Sequence, residues 1–302
     1  MKTKLTAIFL MFMGLVFWNC TDEASSSSSD TARLRIQLTD APFPYDMISE
    51  ANVTIFKIEA RYTDDGDGDM DEGMGMDDGE GEGRPFITLF DEELDVNLLE
   101  LTNGVTETLV DTEVPAGEYD LIRVYVRGVN VVTKDSTVYN LKVPSGPQTG
   151  IKVFIDPPLV VAGGLSADLL LDFDVSRSFV ARGNIKKESF NGFIFKPVIK
   201  VSNLTTAGTL AGNVFTTVQD STGTITTPGL EGAQIALFAA DTLNTTTFTD
   251  VDGNYMVMGL DPGAYNVEVQ LEGYESQTAE GITIVAGNKT VQDFELVAVP
   301  EP

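Results

Sequence analysis

Along most of the chain hydrophobic and polar residues alternate with the period of two that puts successive side chains on opposite faces of a strand. From Ala32 onward Leu34, Ile36 and Leu38 point one way, and Arg33, Arg35 and Gln37 the other. The alternation recurs in Val53 to Ile55, Phe86 to Phe90, Tyr119 to Val132, Val138 to Val143, Ile151 to Ile155, Ala167 to Val175 and Phe193 to Val201. No long helical period competes with it, and Leu94 to Leu101 alone reads as a short helix. A small polar break, Asn203 to Gly208, precedes further strands at Thr209 to Val218, Ala233 to Phe238, Thr245 to Phe248, Tyr255 to Gly259, Ala264 to Leu271, Ile282 to Val285 and Thr290 to Val297. Short strands closed by regular turn signals make sandwiches. The expected fold class is therefore all-β, two β-sandwich domains spanning 32–203 and 207–298. Val114-Pro115-Ala116-Gly117-Glu118-Tyr119 and Leu260-Asp261-Pro262-Gly263-Ala264-Tyr265 each deliver a tyrosine from a Pro/Gly turn into a long strand, which suggests related architectures.

The first residues follow another rule. Lys2 and Lys4 precede an apolar run from Leu5 to Trp18, which ends at Asn19-Cys20 and passes at once into Thr21-Asp22-Glu23-Ala24 and Ser25 to Ser29. The run is shorter than the roughly 20 residues that span a bilayer, so 1–19 reads as a signal peptide and 20–31 as a Ser-rich tether. The arrangement resembles a bacterial lipoprotein signal, which implies an acyl chain on Cys20 and attachment to a membrane through it. Phe17-Trp18-Asn19 departs from the small residues usual before such a cysteine, and Asp22-Glu23 resembles the surface-export signal of Bacteroidota lipoproteins. The expected location is the outer membrane or cell surface, outside the cytoplasm and lipid-anchored.

Composition then removes chemistry. The 302-residue chain has no histidine, which excludes Ser-His-Asp and Cys-His catalysis and His-based zinc sites. Cys20 is the only cysteine, so no disulfide framework is available within the chain. A net charge of −27 repels phosphate backbones and attracts cations: nucleic acid is excluded as a partner, and no cofactor is required.

Five motifs could carry chemistry. The insertion 64–83 holds ten acidic residues among glycines and methionines, and Asp65, Asp67, Asp69 and Asp71 repeat the every-second-residue spacing by which calcium loops present carboxylates. Met70 stands where an EF-hand starting at Asp65 needs glycine. This leaves a looser calcium site, or a solvated acidic loop that only gathers counterions. Asp172 and Asp174, with Asp168 nearby, share a strand face, either as a glycosidase-like pair or as rungs of a cross-strand ion ladder with Arg123, Arg127 and Lys196. Gly146 to Lys152 has the flavour of a phosphate loop but lacks the Gly-Lys-Ser/Thr ending and reads as a glycine-rich turn. Asp250-Val251-Asp252-Gly253 reads first as a hairpin turn. Asp30-Thr31-Ala32 resembles the Bacteroidota O-glycosylation motif, with Thr31 as acceptor.

Residues 207–297 resemble the carboxypeptidase regulatory-like domain through Gly208 to Val214, Thr249-Asp250-Val251-Asp252-Gly253-Asn254-Tyr255, Leu260 to Tyr265 and Gly273-Tyr274. The resemblance implies a seven-stranded transthyretin-like sandwich with a carbohydrate-binding-like fold, acting as a rigid accessory module. Residues 33–201 resemble the DUF4382 family through Leu38-Thr39-Asp40-Ala41-Pro42, Leu98-Leu99, Pro115 to Arg123, Pro144 to Lys152, Leu171-Asp172-Phe173-Asp174 and Phe195 to Ile199. That family carries no established activity. The expectation for the whole chain is a non-enzymatic envelope lipoprotein that binds or scaffolds an extracellular ligand, either a glycan, an envelope protein or an assembly. A structural subunit of a surface fibre and a carboxylate-based glycosidase are the alternatives.

Two outcomes are expected from the sequence alone. Replacing Cys20 with serine releases the protein from membranes, and unchanged membrane retention and mass would refute acylation. Deleting residues 64–83 abolishes calcium uptake measured by calorimetry: saturable binding that resists moderate salt marks a site, and weak, salt-erased uptake marks a charged loop.

Overall fold

The computed structural model describes residues 31–41, 47–63, 84–144, 146–183 and 190–299. Cys20 and the acidic insertion with Asp65, Asp67, Asp69 and Asp71 lie outside them.

The described residues are mainly strand. The first unit runs through β1 (Thr31–Ala41), β2 (Ile48–Thr63), β3 (Phe86–Phe90), β4 (Leu94–Asn97), β5 (Glu107–Pro115), β6 (Gly117–Thr133), β7 (Val138–Asn140), β8 (Ile151–Val161), β9 (Ser166–Asp174), β10 (Phe179–Ala181), β11 (Phe193–Phe195) and β12 (Ile199–Asn203). One sheet has the order β12-β9-β1-β5, and a six-stranded sheet is built around β2 and β6. Strand β1 runs parallel to β9 and antiparallel to β5. The inward rows, among them Leu34, Ile36, Leu38, Leu169, Leu171, Ile58 and Ile122, form one core.

The second unit runs through β13 (Gly208–Phe215), β14 (Val218–Gln219), β15 (Ile225–Thr226), β16 (Gln234–Ala239), β17 (Thr242–Phe248), β18 (Asn254–Leu260), β19 (Gly263–Gln270), β20 (Gln277–Ile284), β21 (Lys289–Val291) and β22 (Phe294–Glu295). Its sheets are β18-β13-β21, with β22 also on β13, and β17-β16-β19-β20. They enclose a separate core that includes Leu210, Ile235, Leu237, Tyr255 and Val267. Each of the seven expected strands is found, the last broken into β21 and β22, and the small hairpin β14–β15 is added.

Several local expectations need correction. Leu94 to Leu101 is not one helix: Leu94–Asn97 pairs with β2, and only Leu98–Glu100 forms a 3-10 turn, capped by the Asn97 side chain. The turn Asp250 to Gly253 is not a hairpin, because the strands it joins, β17 and β18, belong to different sheets. The Asp250 carboxylate accepts from the amides of Asp252 and Asn254, and Gly253 takes φ +80°, so the Asp-Gly pair turns the chain from one sheet to the other. Gly146–Thr149 forms a single helical turn leading into β8.

The tyrosine echo has a definite geometry. The Tyr119 hydroxyl donates to the Pro115 carbonyl at 2.7 Å, and that of Tyr265 to the Asp261 carbonyl at 3.0 Å. Both span four residues at the point where the chain changes sheet, from β5 to β6 and from β18 to β19, so each is a tyrosine corner. Burial pushes the Tyr119 hydroxyl up to about 12.

Tyr119→Phe and Tyr265→Phe should each remove about 1 kcal/mol, the usual net worth of such a bond, from the unit that contains it. Chemical denaturation of the two variants checks this, and a loss confined to neither unit would show that the corners hold nothing.

Candidate functional site

The outer face of the β12-β9-β1-β5 sheet carries rows of side chains set by its register. Arg35 lies opposite Asp111 on β5 and Asp168 on β9; Gln37 opposite Leu170, which faces Ser202; and Thr39 opposite Asp172, which faces Lys200. One end is an ion ladder: Arg33 meets Asp111 at 2.5 Å, and Arg35 meets Asp111 at 3.4 Å and Asp168 at 3.7 Å. These pairs are open to solvent, where each contributes about 0–1 kcal/mol. The ladder on this sheet therefore uses Arg33 and Arg35. Arg123 and Arg127 belong to the other sheet, over the rings of Phe86 at 4.0 Å and Phe56 at 4.4 Å, with Glu93 3.1 Å from Arg127.

The rest of this face is covered by the second unit. Leu170 points away from the first core yet is only 1% exposed. A Cβ added at Gly259 would come 3.1 Å from Leu170 and 3.0 Å from Ser202, so the second backbone rests directly on this row. Ser202 donates to the Gly259 carbonyl at 2.8 Å, and the Lys200 ammonium donates to that of Asn244. Asn103, at φ +56° after the 3-10 turn, clamps the other side of the joint. Its amide donates to the Asn254 carbonyl at 3.3 Å, and its Oδ1 accepts from Thr247 at 3.3 Å and from the Met256 amide at 3.4 Å.

Beside this seat the units leave a cleft of about 350 Å³, lined among others by Phe154, Asp156, Asp172, Lys200, Asn244 and Asp261. Asp172 is its chemically distinctive group. Burial beneath the second unit pushes its carboxyl up to about 6; Lys200 opposes the shift, Asp174 adds to it and Arg177 opposes it. Among the described residues no hydrogen bond or ion pair engages the Asp172 side chain, although Lys200 lies directly across the strand pair.

Asp174 does not join it in the cleft. Its carboxylate caps the short helix Val175–Ser178, accepting from the Arg177 amide at 3.0 Å and from Ser176 at 2.7 Å, and it pairs with the Arg177 guanidinium at 2.5 Å. Burial raises its carboxyl, but those bonds outweigh burial and hold it below the usual carboxylate range. Lys196 is exposed and not among the residues lining the cleft. Thr31 is exposed but is the first residue of β1, opposite Pro115, rather than part of the tether. The described residues contain no group of three or more acidic, histidine or cysteine side chains arranged to hold a metal.

Sequence reasoning missed Phe154, Lys200, Asn103 and Asp261. One signal for the site was present: Leu170 is an apolar residue in the otherwise polar row Asp168, Leu170, Asp172, and such an interruption marks a covered surface. The motif residues Thr39 and Asp40 serve the fold, Thr39 donating to the Leu101 carbonyl at 3.0 Å and Asp40 accepting from the Val175 amide at 3.1 Å.

Comparison with known proteins adds the family. The carboxypeptidase regulatory-like domain matches residues 213–297. No curated protein matches the chain. Similar solved structures include GBS52, the minor pilin of Streptococcus agalactiae, at 12% identity over 89% of this chain and 97% of that one, TM-score 0.26. The shaft pilin SpaA from Lactobacillus rhamnosus GG is similar at 10% identity over 91% and 99%, TM-score 0.25. The Bacillus anthracis TIE protein is similar at 13% identity over 89% and 34%, TM-score 0.21. Likeness at this level carries no argument about assembly. The family model for the domain of unknown function DUF4382 matches residues 31–197, more than half of the chain, and the chain therefore belongs to the DUF4382 family, with a carboxypeptidase regulatory-like domain following.

Proposed function

We propose that the chain is a non-enzymatic, lipid-anchored binding protein of the outer envelope that grips an extracellular ligand where its two sandwiches meet. The observation that supports this reading best is the joint. Asn103, Lys200 and Ser202 bond the second unit to the first, so the cleft between them has fixed walls. A preformed polar cleft suits binding, because little ordering entropy is lost when a ligand enters it.

Catalysis has little to work with at this place. Histidine is absent from the sequence, and Asp174, the residue expected to pair with Asp172 in a glycosidase-like site, is committed to a helix cap and to Arg177.

The expected outcome is antibody labelling of intact cells without permeabilisation, together with no sugar released from a glycan panel by the purified chain. Labelling that requires permeabilisation would remove the surface assignment. Turnover that disappears in Asp172→Asn would make the protein an enzyme.

A further inference from the structure

We infer that the cleft at the joint takes a cationic side chain, the guanidinium or ammonium of a basic polypeptide segment, with Asp172 as counter-ion and the Phe154 ring as apolar wall. This rests on the binding reading above and names the class of ligand.

The first support is the unfinished state of Asp172. A half-buried carboxylate given no hydrogen-bond donor by the protein is costly, and Lys200, which donates to Asn244, is the cleft's only cation among the six residues named above. Asp156 and Asp261 line the same cleft, so its walls carry more negative than positive charge. The net charge of −27 adds a long-range field that draws cations toward it.

The second support is Phe154. It is 63% exposed, and no other aromatic ring among the described residues is classed as exposed. It alternates with Asp156 along β8, so the two share the outward face of that strand.

The third support is a unit that the protein completes elsewhere from its own residues. Arg127 lies over Phe56 and pairs with Glu93. There an arginine is held between a phenylalanine face and a carboxylate, an arrangement that adds ring attraction to ion pairing. At the cleft the phenylalanine and the carboxylates are present, and no arginine is among the lining residues. A partner would supply it.

The test is a calorimetric titration of the soluble chain carrying Cys20→Ser with tri-arginine, and with maltotriose as a neutral probe, at about 0.15 M salt so that diffuse attraction is screened. Saturable binding of tri-arginine is expected. Asp172→Asn should weaken it by about tenfold or more, the loss of one charge-assisted bond, and Phe154→Ala by about fivefold, the loss of one cation–ring contact. Glu100→Gln, at the end of the 3-10 turn and outside the cleft, should leave it unchanged. Binding near pH 6 should also release a proton, because a cation beside Asp172 favours its ionised form; paired titrations in buffers of different ionisation heat read this release, and it should vanish in Asp172→Asn. Phe154 is exposed, so its replacement reports on binding even if Asp172→Asn disturbs the fold. Equal affinity in Phe154→Ala and Glu100→Gln would reduce the attraction to overall charge and overturn the inference. Binding of maltotriose in place of tri-arginine would assign the cleft to saccharides, overturning this inference while leaving the broader reading in place.

Discussion

The arrangement of the molecule depends on covering Leu170. Strand β9 is apolar on its inner face, as any sandwich strand must be, but it also carries a leucine on its outer face. Burying such a side chain is worth about 1.5–3 kcal/mol, and the first unit has nothing of its own to place over it. The second unit supplies the cover, with a glycine at the point of contact because Gly259 has no side chain to hold the backbones apart. Once that contact is made, the neighbours of Leu170 along the same face are committed. Ser202 is drawn into a bond with Gly259, and Asp172, two residues further along β9, is half-buried at the rim of the seat. The cleft and its unusual carboxyl are thus consequences of one hydrophobic contact.

The two units use the same plan. In each, the first strand lies between an antiparallel partner and a parallel one that comes late in the chain: β1 between β5 and β9, and β13 between β18 and β21. In each, the antiparallel partner leads through a Pro/Gly turn and a tyrosine corner into a central strand of the opposite sheet. The corner answers a local problem, since a chain leaving one sheet for another must abandon its ladder bonds at the turn. The tyrosine returns one bond to that turn while its ring fills the core. Packing and such bonds have to hold each unit, because the sequence contains no pair of cysteines to bridge.

Much of this was legible in the residues, for a physical reason. Period-two alternation reports a strand with one wet face, and β1, β6 and β9 show it plainly. Strand β5 escaped because Leu109 and Val110 are both buried beside a register shift near Ile36 and Gln37, which breaks the alternation. The alternation of β8 stops at Ile155, but the strand continues through Pro157 and Pro158 to Val161; a strand paired along one edge only can hold prolines, which donate nothing to a ladder. The ion ladder was expected in kind, but its partners were misassigned. Alternation tells which face a charge occupies and says nothing about which strand lies beside it, and the parallel pairing of β1 with β9 brings Arg35 to Asp168 from far away in sequence. The cleft was least legible, since it is made where two separately coherent patterns meet.

The raised pKa of Asp172 bears on stability as well as on binding. Its carboxyl titrates near 6 in the folded chain, against an ordinary value of 3.8. The folded state therefore holds this proton more tightly than the unfolded one, and stability falls as pH rises from about 4 toward 6, staying lower above that range. Asp174 shows the opposite case two residues away. Its folded value is lowered, so it contributes stability above its unfolded value that is lost as pH falls through the folded one. The difference follows from what each carboxylate is given. Asp174 has an amide, a hydroxyl and a guanidinium, whereas Asp172 has a lysine across the strand pair whose ammonium is bonded to another strand. A fold selected for stability alone would place an uncharged side chain at 172. Retaining an ionisable group there costs free energy at neutral pH, and a ligand that stabilises the ionised form recovers it on binding.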